Sequence, residues 1–243
     1  MIPATQSLVP VAARWQLATS GYCVLPQWLP ASMTELVRTD ALMCEDVGLP
    51  RRAGISTAHQ QDANVRLSSM LPLIPPPRPS AGHCDTRIAL AALLRDLCDE
   101  LDSHASEVGL SLPLEPFSTE MAYLYYPEGG RYMRHMDVPQ RNDGWVRSGR
   151  SAEDGGSFGG HATRREVSVL LYLNRGWDPA WGGQLRIYHA DDSYLDVPPE
   201  GGSLVLMRSD RVPHEVLPTS RPRQCVVGWF RSTRYHPHVC RER

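Results

Sequence analysis

The segment MAYLYY, residues 121–126, opens the part of the chain that decides the fold. Four more apolar or aromatic runs of strand length follow it, at residues 167–173, 184–188, 203–207 and 224–230. Gly, Pro and Asp punctuate these runs, and no helical periodicity lies between them, which is typical of short strands joined by turns. The pattern predicts a mainly β fold, an antiparallel barrel or jelly roll, with the earlier helices packed on its outside.

Two helices are predicted before these strands, after a short apolar strand GYCVL at residues 21–25. Ser32 and Glu35 form a capping-box pattern that opens the first helix, which should run through about Met43. The second helix falls within residues 85–107, where apolar residues recur at intervals of three and four: Leu90, Leu93, Leu94, Leu97 and Leu101. We expect this apolar stripe to cover one face of a sheet.

Composition divides the chain into three parts of one structural domain. Residues 1–116 form an N-terminal support region with an irregular Pro- and Arg-rich loop at 49–84, residues 117–235 form the jelly-roll core, and 236–243 form a polar tail. Residues 138–165 break the strand rhythm of the core and predict a long mobile loop. A phosphate cradle is the weaker alternative for its Gly-rich run, because the GK[ST] ending is missing.

Composition also restricts the partners. A chain of 243 residues with 42% hydrophobic content can bury a sizeable core. The formal charge of −2 gives no electrostatic reason to expect a nucleic acid or an anionic membrane. The sequence shows no secretory segment, and no apolar run approaches the ~20 residues that a membrane helix needs. The cysteines form no CxxC pair. We expect a soluble, intracellular protein in the cytoplasm, with the nucleus as an alternative.

His135 and Asp137 are the first candidate ligands for a metal. They are two residues apart, so on a strand or at its end both side chains project to the same side. His214 follows the apolar run at 203–207, and a returning strand could bring it back to the pair. Two His and one carboxylate is the arrangement that leaves positions open on non-haem Fe(II). Without further support, structural histidines would remain the simpler interpretation.

Arg223 supplies that support, because it lies nine residues after His214 at the start of the last strand. Its guanidinium could pair bidentately with a carboxylate in the same barrel mouth, which suits a dicarboxylate co-substrate. Tyr126 and Tyr172 lie on neighbouring strands, and both hydroxyls could donate to the same ligand. Either tyrosine alone would be interpreted as a core residue.

Five segments and Arg223 together resemble the prolyl 4-hydroxylase family, and most closely the prolyl-hydroxylase-domain oxygen sensors. These segments are YYPEGGRYMRHMD, LLYLNRGWD, WGGQLRIY, PPEGGSLVLMRSDRVPHEV and QCVVGWF. The resemblance covers residues 117–231, and more loosely GYCVLPQWLP and the helix near residues 90–105. It implies a double-stranded β-helix of the cupin-like type and an oxygenase that uses Fe(II), O2 and 2-oxoglutarate, releasing succinate and supported by ascorbate.

The resemblance also assigns roles to single residues. His135, Asp137 and His214 would be the catalytic iron ligands, with Asp137 indicating hydroxylation. Arg223 would bind the far carboxylate of 2-oxoglutarate, with Tyr172 as its hydroxyl helper and Tyr126 near the metal end. Leu185 and Val216 match family positions that line the co-substrate pocket, Arg165 matches one near the substrate entrance, and Trp229 closes the last strand. A structural core role is the alternative for Leu185, Val216 and Trp229, and a solvated arginine at a loop end is the alternative for Arg165.

Three functions remain open at this stage. The first is hydroxylation of a prolyl residue in a protein or peptide, in the manner of an oxygen sensor. The second keeps the iron chemistry but acts on a free amino acid or small metabolite, with residues 138–165 as a lid. The third is a non-enzymatic jelly-roll module in which His135, Asp137 and His214 hold a structural metal.

Overall fold

The computed structural model describes residues 7–54, 62–73, 81–115, 120–138, 141–147 and 162–234. Its helices are α1 (Val11–Thr19), α2 (Ala31–Asp46) and α3 (Cys84–Ser103). Its first strands are β1 (Tyr22–Leu25), β2 (Arg51–Arg52), β3 (Arg66–Leu67), β4 (Ser69–Pro72), β5 (Glu120–Tyr126), β6 (Arg131–His135) and β7 (Val146–Arg147). The remaining strands are β8 (Ala162–Tyr172), β9 (Leu185–Tyr188), β10 (Tyr194–Val197), β11 (Leu204–Arg208), β12 (His214–Val216) and β13 (Arg223–Arg234).

The strands form two sheets in which every described pairing is antiparallel. The larger sheet has the order β1-β11-β8-β13-β5-β4-β2, with β7 also pairing β8, and the smaller has the order β10-β9-β12-β6-β3. Long connections place strands that are distant in sequence side by side, as in a double-sheet jelly roll. The predicted mainly β double-stranded β-helix with helices outside is therefore confirmed.

Alternating residues of β8 show where the two hydrophobic clusters lie. Val167, Val169 and Leu171 belong to the cluster that includes the apolar stripe of α3. Leu170 and Tyr172, on the opposite face, belong to the cluster that contains residues of both sheets. The helices therefore cover one face of the larger sheet, and the other face packs on the smaller sheet and borders the candidate site.

Two of the predicted irregular segments need correction. The predicted loop at 138–165 ends too late, because β8 already begins at Ala162, and residues 141–144 form a 3-10 helix before β7. The segment 49–84 is not wholly irregular, because β2, β3 and β4 extend both sheets through it. Residues 148–161, with the Gly-rich run, and the tail 236–243 lie outside the described residues. The division of the chain near residue 116 stays a prediction.

The helices also differ from the prediction. The capping box is wrong, because α2 begins at Ala31 after Pro30, so Ser32 lies inside the helix and no side chain caps its N-terminus. The α1 helix was not predicted. Its apolar residues do not form one buried stripe, because Val11 and Trp15 are exposed while Ala13 and Leu17 are buried. Among the described residues, no helix combines the length and apolar character that a membrane span requires.

Asp40 joins α2, α3 and β5 in the core. Its carboxylate is fully buried and accepts a hydrogen bond of 2.6 Å from the Tyr123 hydroxyl and another from the backbone N–H of His83. The Arg87 guanidinium lies 3.5 Å away. A buried charge is tolerated when it is paired and hydrogen-bonded in this way.

We therefore expect Tyr123→Phe to lower the free energy of unfolding by about 2 kcal/mol, because the buried carboxylate loses a donor. Tyr125→Phe is the matched control, since the Tyr125 hydroxyl donates to the neutral Ala41 carbonyl and should cost only about 1 kcal/mol. Urea denaturation followed by circular dichroism measures both losses. Equal losses would contradict the role given to the Asp40 charge.

Candidate metal centre and co-substrate pocket

The smaller sheet brings the three predicted metal ligands together. His214 at the start of β12 pairs directly with His135 at the end of β6. Asp137 lies two residues after His135, just beyond the end of β6. The Nε2 atoms of His135 and His214 lie 3.7 and 3.8 Å from the two Asp137 carboxylate oxygens. One ligand atom from each of the three residues lies within 4.8 Å of the others. This geometry allows all three side chains to bind a single metal ion.

A β-bulge in β6 directs His135 into the site. His214 pairs with His135 and Val216 pairs with Tyr132, so β6 has one more residue than β12 between these pairs. The Tyr132 and His135 side chains therefore share a face, and their rings stack with centroids 3.6 Å apart. Residue alternation in a regular strand would have placed these two side chains on opposite faces.

Backbone carbonyls set the orientation of both imidazoles. His135 Nδ1 lies 2.8 Å from the Met133 carbonyl oxygen, and His214 Nδ1 lies 2.9 Å from the Val212 carbonyl oxygen. A carbonyl can only accept, so each Nδ1 carries the proton and each Nε2 keeps its lone pair. The lone pairs that a metal requires therefore face Asp137, and the second nitrogen of each ring is held as in known metal sites.

The site keeps its groups in the protonation states that bind metal. Burial, together with the neighbouring His214, lowers the pKa of His135 to about 3, so this imidazole is neutral at pH 7. Burial raises the pKa of Asp137, but His214, His135, Arg165 and the Ser168 hydroxyl outweigh it, and the net effect lowers that pKa. A neutral imidazole and an ionised carboxylate are the forms that coordinate a metal.

Ser168 holds the Asp137 carboxylate from β8. Its hydroxyl donates to Asp137 Oδ2 over 2.6 Å and also lies 2.8 Å from the Ser209 hydroxyl. Because partners of metal ligands tune metal affinity, we expect Ser168→Ala to weaken binding of Co(II) or Fe(II) about tenfold. Ser209→Ala is the matched control and should change the affinity by less than about twofold. Calorimetric titration with the metal measures both, and equal affinities would contradict this assignment.

Arg223 lies at the other end of the space between the sheets. Its side chain is fully buried, and the guanidinium carbon lies 4.8 Å from the Tyr126 ring centroid and 5.1 Å from that of Tyr172. Within the described part of the chain, none of its three nitrogens has a hydrogen-bond partner, and neither has the Tyr172 hydroxyl. Burying a cation whose five N–H groups have no partner costs desolvation free energy unless an anion binds to it. These orphaned donors fit the far carboxylate of 2-oxoglutarate.

The remaining predicted pocket residues also lie between the sheets. Leu185 on β9 pairs directly with Val216 on β12, and both are buried in the cluster that contains Tyr126 and Tyr172. Cys225 lies in the same cluster and was missed by the sequence reasoning, although its position two residues after Arg223 on one strand face could have revealed it. The structure brings these side chains together, and their roles in binding stay predictions.

Arg165 lies on the metal side of the site, within β8 and not at a loop end. A second β-bulge leaves Glu166 without a partner on β13, where Val167 pairs with Phe230 and Arg165 with Arg231. The Arg165 guanidinium stacks 3.6 Å from the Trp229 ring centroid and donates to Glu120 over 2.6 Å. It also donates to the Asp137 carbonyl over 3.3 Å. Its substrate role stays a prediction.

The structure has one cavity beside the metal ligands and another away from them. A cavity of about 360 Å³ opens beside the metal ligands and is lined by Arg134, His135, Met136, Val138 and Pro213. A cavity of about 520 Å³ lies between the start of α2 and residues 173–177, and none of the predicted site residues lines it. Of these two cavities, the one beside His135 is lined by a predicted metal ligand.

Comparison with protein families agrees with this geometry. The family model described as the 2OG-Fe(II) oxygenase superfamily matches residues 121–231. A curated relative, the hypoxia-inducible factor prolyl hydroxylase of Caenorhabditis elegans, is 32% identical over 116 residues. That match covers 46% of this chain and 13% of the relative, so the chain spans a small part of the curated protein.

Solved structures are similar over almost the whole chain. The prolyl-4-hydroxylase of Pseudomonas putida is 29% identical, covers 93% of this chain and 99% of its own, and has a TM-score of 0.68. A prolyl hydroxylase of Trichoplax adhaerens, in complex with a hypoxia inducible factor peptide fragment, is 23% identical and covers 90% and 86%. Its TM-score is 0.72, which shows a shared fold.

Proposed function

We propose that this protein hydroxylates a prolyl residue of a protein or peptide, because residues 121–231 match the family model described as the 2OG-Fe(II) oxygenase superfamily. Members of that family use Fe(II), O2 and 2-oxoglutarate. The oxygenase chemistry is supported above all by one observation: the buried Arg223 guanidinium has no hydrogen-bond partner among the described residues, in a chain that also brings His135, Asp137 and His214 within reach of one metal ion. The prolyl substrate is supported by the 29% identity with a bacterial prolyl-4-hydroxylase across 93% of the chain.

Different residues of the site would bind the metal and the co-substrate. His135, Asp137 and His214 would hold the Fe(II), and a set of two histidines and one carboxylate is the kind that leaves room for further ligands. When bound, Fe(II) supplies the redox chemistry that couples decarboxylation of 2-oxoglutarate to succinate with oxygenation of the substrate. Arg223 orients the co-substrate by its far carboxylate.

The surroundings of the metal centre exclude water and present the substrate. Leu185, Val216 and the rest of the cluster between the sheets are buried, so the co-substrate binds in a space of low polarity. Arg165 and Trp229 form a rigid wall on the Asp137 side, because Glu120 and the Asp137 carbonyl hold the guanidinium against the indole. This wall offers N–H donors to the backbone carbonyls of a peptide.

Mass spectrometry tests the proposal directly. The protein is incubated with Fe(II), 2-oxoglutarate, ascorbate and either proline-containing peptides or free amino acids and small metabolites. We expect one added oxygen on a peptidyl proline and an equal amount of succinate. If only the small molecules stimulate succinate release, the prolyl proposal fails and the metabolite alternative replaces it.

A further inference from the structure

Arg66 lies at a corner where the chain passes from one sheet to the other. On β3 it pairs with Tyr132 of the smaller sheet, while Ser69 on β4 pairs with Tyr125 of the larger sheet. Its Nε donates to the Ser68 hydroxyl and its Nη1 to the Gly54 carbonyl, both over 2.9 Å. The side chain is thus held in one orientation from a segment outside the matched residues 121–231.

The held guanidinium faces the site. It lies 4.5 Å from the centroid of the Tyr132 ring, which in turn stacks on His135. Arg66 is only 9% exposed, and no carboxylate of the described residues forms an ion pair with it. A buried cation without an acidic partner is costly, and an anionic ligand would offset that cost.

The charge of Arg66 reaches the same groups that surround Arg223. Burial raises the pKa of the Tyr126 phenol to about 12, and the positive charges of Arg66 and then of Arg223 oppose this rise. The two guanidinium groups contact different rings of this space. Arg66 lies against Tyr132, the ring that stacks on His135, whereas Arg223 lies beside Tyr126 and Tyr172.

Charge balance points to a dianion. Arg66 and Arg223 bring two buried positive charges to the space between the metal ligands and β13, and a divalent metal adds two more. Asp137 is the acidic ligand of the described metal set and offsets one of them. A dicarboxylate that spans this space would meet a cation at each end.

We propose that Arg66 is a co-substrate-binding residue, whose guanidinium favours the carboxylate next to the 2-oxo group while Arg223 binds the far carboxylate. This inference rests on the proposed function, because it assigns a second cation to the same 2-oxoglutarate. It also makes the segment around β3 part of the site.

The test compares two ligands and four variants. The affinities of 2-oxoglutarate and of 2-oxobutyrate, which lacks the far carboxylate, are measured by calorimetry on the Co(II)-loaded protein. Arg66→Met should weaken both ligands about tenfold, because both keep the carboxylate next to the 2-oxo group. Arg223→Met should weaken 2-oxoglutarate alone. Arg131→Met is the matched control, since Arg131 pairs with Leu67 on the same two strands and donates to the Gly129 and Ala63 carbonyls.

Arg66→Lys separates charge from structure. Lysine cannot reproduce the hydrogen bonds of the guanidinium to Ser68 and Gly54, but it keeps the positive charge, so it should restore most of the 2-oxoglutarate affinity. If Arg66→Met binds both ligands as tightly as Arg131→Met, or if Arg66→Lys is as weak as Arg66→Met, the inference is overturned. The same holds if Arg66→Met weakens 2-oxoglutarate alone. Failure of the unsubstituted protein to bind 2-oxoglutarate would instead contradict the proposed function.

Discussion

Arg223→Met is expected to weaken 2-oxoglutarate binding by about a hundredfold or more while leaving metal affinity unchanged. The side chain is fully buried, and a carboxylate left there without its cation would keep its desolvation cost and lose both hydrogen bonds. Breaking a buried charge pair costs about 3–5 kcal/mol, which corresponds to a factor of at least about a hundred. Calorimetric titration of the metal-loaded variant with 2-oxoglutarate measures the loss.

The same substitution should stabilise the ligand-free protein. Its three guanidinium nitrogens have no partner in the described residues, so methionine removes a buried unpaired charge from a space lined by apolar side chains. Relief of about 1–3 kcal/mol would raise the melting temperature by several degrees in a chain of this size. Arg221→Met is the matched control, because Arg221 is exposed two residues earlier. A variant that is less stable and still binds 2-oxoglutarate would refute the assignment.

Asp137→Ala is expected to remove metal binding and turnover together. Asp137 supplies the carboxylate between the two imidazoles, and its Oδ1 and Oδ2 lie 3.7 and 3.8 Å from their Nε2 atoms. Loss of a partner of a metal ligand already costs about 10–100-fold in affinity, so loss of the ligand should cost more than about a hundredfold. Fe(II) affinity under anaerobic conditions and succinate release measure the two effects.

Asp210→Ala is the control for this change, because Asp210 is also a partly buried carboxylate but pairs with Arg164 away from the metal ligands. It should keep both metal affinity and turnover. Unchanged Fe(II) affinity in Asp137→Ala would remove Asp137 from the metal centre. The inactive Asp137→Ala protein also serves as bait for its substrate, provided that it folds as the control does.

The strand pattern predicted the fold well because each apolar run lies on a sheet with at least one buried face. The five predicted runs fall on β5, β8, β9, β11 and β13. The two β-bulges escaped prediction, because the extra residues near His135 and at Glu166 appear only when paired strands are aligned. The short strands β2, β3 and β4 escaped because a Pro- and Arg-rich segment carries no alternation.

The site was predictable where local spacing carried information. His135 and Asp137 are two residues apart, and Arg223 begins a strand, so the sequence alone suggested that all three side chains meet at the same end of the barrel. Ser168, Tyr132 and Arg66 could not be found in this way, because their contacts join strands that are distant in the chain. A serine or tyrosine inside an apolar run is typical of ordinary core packing, and only the fold shows what it contacts.

One spectrum tests the central claim most directly. Fe(II) and 2-oxoglutarate are added to the protein without oxygen, and visible absorption reports whether both bind at one centre. We predict a weak metal-to-ligand charge-transfer band that saturates at one 2-oxoglutarate per iron, and that disappears in Arg223→Met although iron is retained. A protein that binds Fe(II) but gives no band at saturating 2-oxoglutarate would contradict the account.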